Sequence, residues 1–132
     1  MWRLTSVSGA VLTFRGEAGS TAESASMSLL ERCAEAPANP RLAARQLLIG
    51  LSDREFRDDR AVEVAGAPGW LQALDASDGA GRARLRTVTR LEAGCSLDWV
   101  LVAGTEARGL DPAFDAWWSS WRPDPVSDGA AP

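Results

Sequence analysis

The sequence contains no histidine, no tyrosine and no lysine, so all 14 of its positive side chains are arginine. Without an imidazole the chain cannot assemble a Ser-His-Asp or Cys-His nucleophile, a histidine-ligated metal or a histidine pH switch. Without lysine it has no Schiff-base amine and no phosphate-loop lysine. Cysteine occurs twice, at Cys33 and Cys95, with no CxxC spacing. That pair completes a four-ligand zinc site only if carboxylates join it. Long apolar runs are also missing. No stretch approaches the ~18–20 consecutive apolar residues of a membrane-crossing helix, and the start, Met1 to Val7, has no run of signal-peptide length. These features describe a soluble chain, either a mature form that has lost a leader or a cytoplasmic protein.

What is present is an ordinary globular composition: 132 residues, 45% hydrophobic and 24% charged. Those values fit a single domain over residues 1–122. The Pro-, Gly- and Asp-rich residues 123–132 read as a disordered tail. Eighteen acidic residues against 14 arginines leave a net charge of −4. That sign opposes a nucleic-acid footprint and adsorption to anionic lipid. We read the all-arginine usage as the codon preference of a GC-rich genome.

Along the chain, residues 1–14 read as two short strands with a turn at Ser8-Gly9. Residues 25–33 alternate as a strand, although a helix through Met27 to Ala36 also fits. Asn39 and Pro40 are an N-cap and first-turn proline for a helix ending at Gly50. The charged stretch Ser52 to Arg60 reads as a helical turn or a solvated loop. Strands follow at 60–64, 70–75, 81–91 and 95–104, with turns at Asp78-Gly79 and Glu92-Ala93-Gly94. A final helix runs from Asp111 as N-cap to Trp121. The expected fold is α+β: a central, mainly antiparallel sheet flanked by two main helices as an α/β/α sandwich.

Three constellations could carry function. Arg82, Arg84, Arg86 and Arg90 share one face of a strand, and such guanidinium forks suit a phosphate or carboxylate. The simpler reading is a solvated face whose arginines pair with Asp75 or Asp98. Phe114, Trp117, Trp118 and Trp121 form one helical face that reads chiefly as core. Its edge, at Trp118 or Trp121, is the part available to a partner. Asp53, Glu55, Asp58 and Asp59 alternate with Arg54, Arg57 and Arg60, which favours a self-neutralising surface over acid–base chemistry or a cation site. Cys33 and Cys95 read either as two thiols or as one bridge. No catalytic residue, metal or cofactor emerges.

The segment Gly94-Cys95-Ser96-Leu97-Asp98-Trp99-Val100-Leu101-Val102-Ala103 is followed by the helix Pro112-Ala113-Phe114-Asp115-Ala116-Trp117. With the N-terminal strand pair and the Leu- and Ala-rich helix after a proline, this order resembles the PsbP-like α/β sandwich of the photosystem extrinsic protein and small bacterial lipoproteins. The resemblance implies helices on both sides of an antiparallel sheet and a non-enzymatic binding, assembly or envelope role. It also implies that Phe114 anchors the last helix, and that Cys33 and Cys95 lie at strand ends within bridging reach. The functional expectation is a non-catalytic accessory or protein-binding domain, plausibly of the bacterial envelope, with another protein as partner and no nucleic acid. The alternative is an anion or small-ligand module using Arg82, Arg84 and Arg86.

Overall fold

The computed structural model describes residues 2–8, 11–16, 24–33, 39–107 and 109–123. The expected tail therefore lies, from residue 124 onward, outside the described residues. Among the described residues the elements run β1 (Trp2–Ser8), β2 (Val11–Gly16), β3 (Ser26–Arg32), α1 (Pro40–Gln46), β4 (Ser52–Val64), β5 (Ala67–Ser77), β6 (Arg82–Glu92), β7 (Cys95–Gly104) and α2 (Asp111–Ser120). The fold is α+β, with one antiparallel sheet in the order β1-β2-β3-β7-β6-β5-β4.

Two meanders build this sheet, β1-β2-β3 and β4-β5-β6-β7, and they join where β3 pairs with β7 from Ser26↔Val102 to Arg32↔Ser96. The two-residue turns Ala65-Gly66 and Ala93-Gly94 have positive φ at both positions. Such primed turns match the strand twist and leave no slack between neighbours.

The charged stretch after Ser52 is not a helical turn or loop but the first part of the 13-residue edge strand β4. Its register is irregular between Ser52 and Glu55 and between Phe56 and Asp58. This charged part pairs only with β5 at the sheet edge, and β4 turns apolar at its far end, where Val64 enters the core and Val62 packs against it. The strand's charges and bulges discourage pairing with other chains.

Helix α1 is capped as its sequence dictates, with the Asn39 Oδ1 accepting the Leu42 N–H at 2.9 Å and Pro40 in the first turn. It is shorter than its periodicity suggests, giving way to turns from Leu47 to Gly50. At α2 the cap position falls on Leu110, which has no side-chain capping bond, and Asp111 is the first helical residue. Asp111 still places a carboxylate at the positive end of the helix dipole.

Alternation divides the side chains into two sets. Met27, Val64, Leu71, Val88, Trp99 and Leu101 cluster with Phe114 of α2. Leu74, Ala76 and Leu85 cluster with Leu48, just beyond α1. Phe114 and Trp99 are fully buried, each contributing about 1.5–3 kcal/mol of hydrophobic stabilisation. The sheet surfaces serving these clusters are called below the α2 face and the α1 face.

Candidate functional site

On the α1 face the helix is held by a polar network at one end of the sheet. Asp98, fully buried on β7, receives the Arg32 guanidinium at 2.7 and 3.0 Å and the Thr89 hydroxyl at 2.7 Å. Arg32 reaches onward to the Ala43 carbonyl and the Gln46 side chain, each at 3.0 Å. From β5, the Gln72 amide donates to the Ala44 carbonyl at 2.8 Å. Arg45 forks onto Asp59 at 2.6 and 2.9 Å and lies over the Phe56 ring. The Arg45 hydrogen bonds hold the Asp59 carboxyl below its ordinary pKa against the opposing effect of burial, and the Trp70 indole N–H adds to them.

Beyond this network the described residues leave the α1 face open. Helix α1 contacts β5, β6 and β7, but at only seven residues it is too short to span the face. What remains is a trough of about 400 Å³ lined mainly by apolar residues, Leu30, Ala76, Ala83, Leu85, Val100 and Val102 on the sheet with Leu47 and Leu51 beside it, and by the polar Ser28, Thr87 and Asp78. Val102 on its floor is 36% exposed, and Ile49, in the turns after α1, is 78% exposed. The sequence contained a signal for this surface. Leu97 to Ala103 is apolar at nearly every position, so both faces of β7 are apolar, and Ala83 and Leu85 alternate with the arginines.

The arginine stripe lies on the α2 face, and its members engage acidic partners. Arg82 meets Glu55 at 2.9 Å, and Arg84 contacts Asp75 at 3.4 Å. Arg86 forks onto Asp115 of α2 at 2.8 and 2.9 Å. Arg90 donates to the Val64 carbonyl, meets Glu92 at 2.7 Å and lies under the Trp121 ring. Pairing with Asp75 follows the sequence reading, whereas Asp98 points to the opposite face and serves Arg32. Nor is the stripe simply a solvated face: Arg90 is 6% exposed, and Arg86 is half-buried against α2. Burial works to lower the Arg86 pKa, but the Asp115 hydrogen bonds and charge, with Asp111 and Asp58, outweigh it and leave it raised. Hydrogen bonding from Arg57 holds the Asp75 carboxyl below its ordinary value despite burial, with Arg84 assisting.

The aromatic face of α2 turns toward the sheet. Trp121 packs edge-to-face on Trp99 with centroids 5.5 Å apart, and Trp117 does so on Phe14 at 5.6 Å. Trp118 donates its indole N–H to Asp115 at 2.9 Å. Trp118 and Trp121 are both half-buried. A disulfide joins Cys33 to Cys95, where the end of β3 meets the start of β7.

No family model matches the sequence, and no curated protein matches it. Among solved structures, a Pseudomonas aeruginosa protein of unknown function, described as a candidate regulator, is similar at 16% identity with a TM-score of 0.74. The match covers 94% of this chain and 98% of that one. The solution structure of cyanobacterial PsbP from Synechocystis is similar at 13% identity with a TM-score of 0.54, over 87% of this chain and 77% of that one. At these identities the likeness establishes a shared fold, and the PsbP-like resemblance is a weak but real one.

Proposed function

We propose that this protein is a non-catalytic accessory domain, an α/β/α sandwich that binds one amphipathic helix of a partner protein in the trough on its α1 face. The observation that carries this reading is the trough itself, a mainly apolar surface that the described residues leave open beside a short helix. Its shape supports a helix as the occupant. Along β6 from Ala83 to Thr87 the floor runs about 13 Å, and from β3 to β5 it crosses about 14 Å. A helix with its side chains is about 10–12 Å wide. Chemistry supports the same occupant. The floor is the flat of a sheet whose backbone groups are spent in the ladder, so it offers apolar contact and no free backbone partners. An extended peptide would leave its own N–H and C=O groups unpaired there, whereas a helix satisfies them internally.

The pairing of the arginine stripe within the fold weighs against the anion-binding alternative, because a ligand would have to displace Asp75 or Asp115. The exposed bridge supports an oxidising compartment such as a cell envelope. The test is a photo-crosslinking amino acid at Val102 in the native host, with the same group at the exposed Ala116 of α2 as control. The expected result is one partner captured from Val102 alone, through a segment with helical apolar periodicity, and lost when Val100→Asp is added. Capture through an extended polar segment, equal capture from Ala116, or no capture rejects the reading.

A further inference from the structure

We infer that the Cys33–Cys95 disulfide is a reducible latch that holds α1 in place; the inference rests on the trough reading only for what the opened latch would expose. Four observations converge on it. The bridge lies at the surface, with Cys33 exposed and Cys95 half-buried, so a reductant can reach it. It sits one residue beyond the last β3–β7 pair, Arg32↔Ser96, where a strand end would otherwise fray. Arg32, which that pair fixes in position, ties β3 and Asp98 to α1 through the Ala43 carbonyl and Gln46. Finally, α1 has only seven residues, well short of the ~12–15 at which an isolated helix becomes even marginally stable. Its position therefore depends on tertiary contacts: the small buried side chains Ala43 and Ala44, and the polar anchors, Arg32 from β3 on one side and Gln72 and Arg45 toward β5 and β4 on the other.

The chemistry is thiol–disulfide exchange with a dithiol reductant. One thiolate of the reductant attacks the exposed Cys33 Sγ, the S–S bond breaks, and Cys95 leaves as a thiolate that takes up a proton. The second reductant thiol displaces Cys33 from the mixed disulfide, leaving two protein thiols and an oxidised reductant. Freed of the bridge, the end of β3 loosens, Arg32 loses its fixed position, and α1 hinges on its remaining anchors. Leu47 and Leu51, the walls of the trough, move with it.

The test compares backbone ¹⁵N order parameters of the oxidised protein and of protein reduced with dithiothreitol and alkylated. The expected result is a fall in α1 from about 0.85 to below about 0.6, with the centres of β5 and β6 unchanged. Arg32→Gln with the bridge intact should loosen α1 in the same way. Order retained in α1 after reduction, or in Arg32→Gln, overturns the latch. Order lost throughout the sheet also overturns it, because the bridge would then staple the whole fold. These measurements need no partner, so an empty trough in the crosslinking experiment and a failed latch are separate results.

Discussion

Asp98 shows how much one buried carboxylate carries in a chain without histidine or lysine. Both its oxygens are occupied, Oδ1 by Arg32 and Thr89 and Oδ2 by Arg32 and Ser96. Removing it strands the Arg32 guanidinium and two hydroxyls, and one-sided removal of a buried ion pair costs about 3–5 kcal/mol. Asp98→Ala should fall at the lower end of that range, because the Arg32 side chain keeps 29% of its exposure and finds water. Asp58→Ala removes a partner of Arg60 on a pair that keeps 54% and 34% of its side-chain exposure and should cost under about 1 kcal/mol. Urea midpoints of the two variants check the contrast, and equal shifts would contradict it. The apolar run around Asp98 sets it apart from Asp58 in its charged stretch, but nothing in the sequence names Arg32 as its partner. The difference arises because the β3–β7 pairing brings Arg32 to Asp98 across 66 residues.

At the scale of elements, what could be read depended on whether the signal was local. The α1 start was legible because Asn39 and Pro40 act within one turn. Asn39→Ala should lower stability by about 1 kcal/mol, measured by urea denaturation, through loss of the bond to Leu42. In β4 the end from Arg60 to Val64 is legible as a strand, but the first part is not, because its alternation is hidden by bulges and because edge strands carry their charges outward. Apart from Asp58 with Arg60, its ion pairs reach other elements: Arg57 to Asp75, Asp59 to Arg45, Glu55 to Arg82. The trough was only half legible. Its floor shows in the apolar alternates of β6 and the apolar run of β7, but its openness follows from α1 stopping at Gln46. That length is set by packing and by the turns that follow it.

For the molecule as a whole, the absence of histidine becomes a statement about pH. Within the described residues, the groups that folding shifts and that titrate on the acid side of neutrality are carboxylates. Asp59 and Asp75 are held below the ordinary value of 3.8, chiefly by hydrogen bonds from Arg45 and Arg57. A carboxylate with a depressed folded pKa contributes stability that is fully present above its unfolded pKa. That stability is lost as pH falls through the folded value. Stability should therefore be level between about pH 5 and 7, where an unperturbed histidine would titrate, and should decline below about pH 4. Asp75→Asn should lower the plateau and flatten the acid decline together, because it removes both the favourable pairing and the proton that reports on it. Urea midpoints measured from pH 2.5 to 7 resolve both limbs. A step between pH 5 and 7, or an acid limb as steep in Asp75→Asn as in the parent chain, would show that the stability of this fold is linked to protons at other groups.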